Sequence, residues 1–162
     1  MDTNDGRKHL HDVVNAFDVV MLVTHSSHGM HARPMAIARH DEGTGAYLVT
    51  DIQSLKIDEI AANPQALLTF QGSLKFASVH GELSVIHDRA LIGEMWKEAW
   101  KVWFPLGKSD PGIALLKFTA LDGEYWDNAG LQGMKYVYDR AKAYVTGTTP
   151  KSDEARHAAV HM

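Results

Sequence analysis

The chain has 162 residues, 45% hydrophobic and 22% charged, the balance of one ordinary globular domain with a real core. Lys and Arg number 16 against 20 Asp and Glu, a formal charge of −4, so the basic excess of a general nucleic-acid binder is missing. The absence of cysteine excludes disulfides, thiolate nucleophiles and Cys-based metal sites, and no apolar run approaches the ~18–20 residues that cross a membrane.

The opening MDTNDGRKHLHD is polar and carries no apolar signal core, so an untargeted, soluble and cytoplasmic chain is expected. From His9 to Phe17, Leu10, Val13, Val14 and Phe17 fall at spacings of three and four, the pattern of a short amphipathic helix that Asp5 can cap. Asp18 to Thr24 reads as a buried β-branched strand. Ser26-Ser27-His28-Gly29 is turn chemistry, and Met30 to Arg39 resumes as a strand. Pro34 inside it points to an edge or a bulge, because proline donates nothing to a ladder. A second turn, Asp41 to Gly45, leads to a third strand, Ala46 to Thr50.

Ser54 then caps a short helix carrying Leu55, Ile57, Ile60 and Ala61, which Asn63-Pro64 ends. Strands follow at Ala66 to Gln71 and Phe76 to Ile86. Asp88 caps a longer helix running to about Val102, with Ile92, Met95, Trp96, Ala99, Trp100 and Trp103 on one stripe. Leu115 to Leu121 and Glu124 to Trp126 flank Asp122-Gly123, a two-residue hairpin signal. Beyond about Asp139 the residues turn polar and small. Residues 1–140 therefore read as the domain and 141–162 as a loose, flexible tail. About seven strands, mostly antiparallel, with helices between them fit a mainly β class: a small barrel with flanking helices.

Three groups of residues are candidates for chemistry. Thr50-Asp51-x-x-Ser54-x-Lys56 lies where a strand hands over to a helix. Helix N-termini attract phosphate, and Ser54 and Lys56 add a hydroxyl donor and a full charge. The same pattern also describes a plain N-cap beside a solvated lysine. Arg33, in an otherwise apolar strand, suits oxygen acceptors with its fork of donors, or else faces water from an edge. Trp96, Trp100, Trp103, Phe104 and Trp126 supply indole and phenyl faces. Helical spacing assigns Trp96 and Trp100 to packing. Trp103 and Trp126 fall at breaks, where a ligand wall or a subunit contact is the better reading. The ten histidines form no HExxH and have no organised carboxylate partners, so no metal site is expected. GxSxG, GxGxxG and Walker A motifs are all missing.

His31-Ala32-Arg33-Pro34-Met35, then Val49-Thr50-Asp51-x-x-Ser54-x-Lys56, then Phe76-x-Ser78-Val79-x-Gly81 resembles the pyridoxamine 5'-phosphate oxidase-like flavoproteins. Trp103-Phe104-Pro105-x-Gly107-x-x-Asp110-Pro111, followed by Leu115-Leu116 and Glu124-Tyr125-Trp126, resembles their general stress protein 26 branch. The likeness spans roughly residues 10 to 128. It implies a six-stranded antiparallel split β-barrel and a homodimer with flavin mononucleotide (FMN) near the subunit interface. On that resemblance Arg33, Pro34 and Met35 line the flavin, and Val49, Thr50 and Asp51 meet the ring or the ribityl chain. Ser54 and Lys56 hold the phosphate, Gln71 adds a flavin contact, and Trp103 and Trp126 approach from the partner. Met30-His31 and His80 depart from the pattern. The chain after Trp126 does not match the substrate-contacting end of the true oxidases, which counts against vitamin B6 oxidation. The expectation is an FMN-dependent oxidoreductase acting on an unidentified small molecule, with a non-catalytic FMN-binding or sensing protein as the alternative.

Overall fold

β1 (Val19–Ser26) and β2 (Gly29–His40) form an antiparallel pair in which Leu22 faces Arg33 and Met21 faces Pro34. This is the start of a computed structural model that describes residues 3–147 and 157–162. β2 pairs next with β3 (Ala46–Asp51), through a register shift between Ile37 and Arg39. After α2 (Leu55–Ala62), β4 (Gln65–Gln71) joins the other side of β1. β5 (Lys75–Ile86) pairs with β4, and β6 (Ile113–Asp127) pairs with β5. β6 also returns to β3, with Ala46 opposite Phe118, so the order β3-β2-β1-β4-β5-β6 closes on itself. The result is the expected closed, six-stranded antiparallel barrel, in which each strand has a neighbour on both sides.

Strand alternation sorts the apolar residues into two clusters. The first gathers Val20, Leu22, Leu48, Leu68, Phe70, Val79, Phe118 and Tyr125 with Leu10, Val13 and Val14 of α1 (Thr3–Val14). Full burial of each such aliphatic or aromatic side chain contributes about 1.5–3 kcal/mol. The second gathers Tyr47 and Val49 of β3 and Ile113 and Leu115 of β6 with Ile92, Met95, Trp100 and Phe104 from the β5–β6 connection. β3 is therefore buried on both faces, which explains its nearly unbroken apolar run.

Four details differ from the sequence reading. The helix expected from Asp88 to Val102 is α3 (Arg89–Met95) followed by a separate 3₁₀ turn, Glu98–Val102. Asp88 caps α3 as expected, but Trp96 and Lys97 leave helical geometry. The break sets the Trp96 and Trp100 rings edge to face at 5.8 Å, with Trp100 in the core.

Asp122-Gly123 makes no hairpin, because β6 runs straight through it. The register skips Leu121 opposite His80 and Gly81, and a bulge takes the place of the turn. Gly123 is needed there for space, since a Cβ would lie 2.9 Å from Leu10 Cδ2 of α1 and 3.1 Å from the Ser78 carbonyl. The N-terminal helix starts at Thr3, so Asp5 lies in its first turn rather than at its cap.

Of the segment expected as a loose tail, residues 148–156 lie outside the described residues, and 141–146 and 157–161 belong to elements. α4 (Gly130–Thr146) continues past Asp139, and β7 (His157–His161) pairs with the outer part of β6, Val160 opposite Gly123. HAAVH is too short and too weakly β-branched to signal a strand alone. It is held by tertiary contact, with Val160 buried in the first cluster. The seventh strand is thus an addition outside the barrel.

Candidate functional site

β2, β3, the N-terminus of α2 and the 3₁₀ turn before Pro105 converge on one cavity of about 520 Å³, within the range of small-molecule sites. Pro34, Met35, Val49, Thr50, Asp51 and Lys56 line it, all singled out from the sequence, together with Ala36, Phe104 and Trp103, which the resemblance had brought from the partner rather than from this chain. Backbone bonds from Trp103 and Phe104 to the Trp100 carbonyl, at 2.9 and 3.0 Å, fix the two aromatics. Phe104 is buried while Trp103 is 60% exposed, so it projects at the rim as an unfilled apolar face.

The polar part of the cavity is built by the β3–α2 junction. Ser54 stands at the N-cap of α2 with extended backbone, but its hydroxyl makes no capping bond. Instead it accepts from Lys56 Nζ at 2.9 Å, and Lys56 also donates to Thr50 Oγ1 at 3.0 Å. The first-turn N–H groups of α2 are left without a side-chain cap beside two hydroxyls and an ammonium. Asp51, exposed at the end of β3, bonds to its own loop, its Oδ1 accepting from the Gln53 N–H at 2.8 Å. Burial, and then the Arg33 guanidinium, push the Lys56 pKa below its ordinary 10.5, against the pull of Asp51 and Glu59. Two cations held close enough to repel each other gain by admitting a polyanion.

Arg33 does not line the cavity wall. Its side chain turns to the α2 side, donating from Nη1 to Thr24 Oγ1 and from Nη2 to Glu59 Oε2 at 2.8 Å. Glu59 also accepts from Thr24 Oγ1 at 2.5 Å, and His31 Nδ1 lies 2.6 Å from its Oε1. Burial opposes ionisation of this carboxyl, but the bonds from Thr24, His31 and Arg33 prevail and hold its pKa at about 2. The sequence reading missed Glu59. The signal was available: it sits three residues after Lys56, on the same helical face.

Gln71 and Trp126 are not brought to this cavity. Gln71 ends β4 opposite Phe76, whose other partner is Trp126. The Trp126 indole stacks on the His157 ring of β7 at 4.9 Å.

Residues 5–151 match the family described as Pyridoxamine 5'-phosphate oxidase like. The chain belongs to that family. Among curated proteins no relative matches it. Several solved structures in the pyridoxamine 5'-phosphate oxidase-like group share its fold. A protein assigned to general stress protein 26 from Jannaschia sp. CCS1 is 26% identical, with a TM-score of 0.77 over 98% of this chain and 99% of that one. The general stress protein 26 of Bacillus anthracis str. Sterne is 25% identical, with a TM-score of 0.63 over 72% and 93%. The general stress FMN/FAD binding protein of Xanthomonas citri is 23% identical, with a TM-score of 0.67 over 78% and 92%, and shares the fold. No helix among the described residues is long and apolar enough to cross a membrane.

Proposed function

We propose that this protein binds FMN in the β2–β3–α2 cavity and acts as a homodimeric oxidoreductase that passes electrons or hydride to a small acceptor. One observation carries the reading: Lys56, bonded to Thr50 and Ser54 and repelled by Arg33, stands in a cavity walled by Pro34, Met35, Trp103 and Phe104. Lys56, Ser54 and Thr50 bind the phosphate, and Arg33 adds its charge from behind. Val49, Asp51, Pro34 and Met35 border the ribityl chain and ring, whose flat faces suit the aromatic rim. Bound flavin supplies the redox chemistry, and the chain's own residues orient it and exclude water. The likeness to the general stress FMN/FAD binding protein of Xanthomonas citri and to an FMN binding protein from Nostoc punctiforme supports the cofactor. The general stress names of other relatives support a role in stress.

The homodimer rests on the apolar side chains around this region. Leu55, Val102, Trp103 and Leu106 are 80, 73, 60 and 72% exposed, and a second copy is the natural cover. In that arrangement Gln71 and Trp126 serve the cofactor of the partner.

A non-catalytic FMN-binding role is the second reading, favoured by one observation. Among the described residues that line the cavity, the ionisable ones are Asp51 and Lys56, and both are engaged in local bonds. The visible absorption spectrum of the purified protein, with added FMN and after denaturation, tests the cofactor. A bound flavin spectrum supports it, and a protein that leaves FMN free refutes it. NAD(P)H oxidation with a dye acceptor then separates the two readings. Turnover no faster than free FMN refutes the enzyme.

A further inference from the structure

We infer that Glu59 is the positioning residue of the phosphate site, holding the Arg33 guanidinium against Thr24 so that its charge stays fixed behind Lys56. The inference rests on the FMN reading above and assigns a role to a side chain outside the cavity lining.

The geometry is that of a braced cation. Arg33 has five N–H donors in a rigid fork. Two nitrogens of the fork are engaged, Nη1 by Thr24 Oγ1 and Nη2 by Glu59 Oε2 at 2.8 Å. The brace is itself fixed. Thr24 is fully buried on β1 and donates to the same Oε2 at 2.5 Å, while His31 of β2 stands 2.6 Å from Oε1. Three elements, β1, β2 and α2, therefore meet at one carboxylate whose side chain is only 10% exposed. An arginine tied at two nitrogens to buried partners holds its charge in place before an anion arrives, which is the benefit of preorganisation.

Charge balance points the same way. Arg33 and Lys56 alone place two positive charges near one another, and burial makes the ammonium the weaker holder of its proton. Glu59 offsets one of them and helps Lys56 stay charged. A carboxylate that merely competed with phosphate for Arg33 would need to be released on binding, yet this one is held by three donors. The placement on α2 links the two cations: Lys56 and Glu59 are one helical turn apart on the helix that starts at the cavity.

The test compares FMN with riboflavin, which has the same ring and no phosphate. Dissociation constants are measured by flavin fluorescence quenching for wild type, Glu59→Gln, Glu59→Ala, Arg33→Ala and the Arg33→Ala/Glu59→Gln double variant. Circular dichroism confirms that each is folded, and the near-isosteric Gln serves if the Ala variant is not. The expected result is an FMN affinity about tenfold weaker in Glu59→Gln with riboflavin affinity unchanged. It also includes no further loss when Glu59→Gln is added to Arg33→Ala. FMN binding that is unchanged or tighter in Glu59→Gln overturns the positioning role. So does a loss that adds to that of Arg33→Ala, or one that riboflavin shares equally. Wild type that binds FMN no better than riboflavin instead overturns the phosphate-site reading, and the positioning role falls with it.

Discussion

Replacing Lys56 by Met keeps the aliphatic stem and removes the charge that the cavity brings to its polar side. Nζ has two hydroxyl partners at 2.9 and 3.0 Å, so it is already placed where an oxyanion can join it. A hydrogen bond to a charged group is worth about 1.5–3 kcal/mol, so FMN affinity is expected to drop about 10- to 150-fold. Ser54, Thr50 and Arg33 remain, so binding weakens without vanishing. Riboflavin affinity is expected to stay within about threefold, since the lost group faces the phosphate.

The pH dependence has a definite sign. Burial and Arg33 lower the Lys56 pKa from 10.5, so FMN affinity falls as pH rises through that lowered value, and Lys56→Met lacks the step. Stability of the flavin-free protein moves the other way. The unfolded chain binds the proton more tightly, so stability rises with pH between the folded value and 10.5. Fluorescence titrations of both flavins across alkaline pH make the measurement, with riboflavin cancelling any titration of the ring. Equal losses of FMN and riboflavin in Lys56→Met would show that Lys56 does not meet a phosphate.

Glu59 gives an acid-side prediction. Its folded pKa of about 2 lies below the ordinary 4.5, so its stabilising contribution is complete above 4.5 and is lost as pH falls toward 2. Glu59→Gln should flatten the thermal stability profile over that window. Gly81→Ala places a Cβ 2.2 Å from the Thr119 carbonyl oxygen at the β5–β6 bulge, which backbone cannot yield cheaply. A loss of at least about 2 kcal/mol in denaturant unfolding is expected, and an unchanged midpoint would refute the close approach. Leu22→Ala, at a fully buried barrel position, should cost about 2–5 kcal/mol by the same assay. Trp103→Ala should leave the melting temperature nearly unchanged, as its ring is mostly exposed, while weakening flavin binding and dimerisation together in titration and sedimentation.

Local pattern was enough to read the barrel strands. VVMLVT, AYLVT and the runs around Phe70 and Val79 bury one face or both, and turn residues separate most of them. The β3–α2 junction was equally legible, because Thr50, Ser54 and Lys56 are near neighbours in the chain and local geometry brings them together. The tertiary structure decided what depends on distant partners. Gly123 follows Asp as in a hairpin, yet its missing side chain serves the approach of Leu10 from the other end of the chain. His157 to His161 carries little strand signal and becomes β7 because the outer part of β6 offers free backbone groups. Trp103 reached the cavity and Trp126 did not, though both stand at element boundaries in the sequence. Glu59, Thr24, His31 and Arg33 lie on three separate elements; the β1–β2 pairing sets Thr24 opposite His31, and the packing of α2 against β1 brings Glu59 within hydrogen-bond reach. Short-range preferences are set by each residue and its neighbours, whereas cavities and charge networks exist only after the chain has closed on itself.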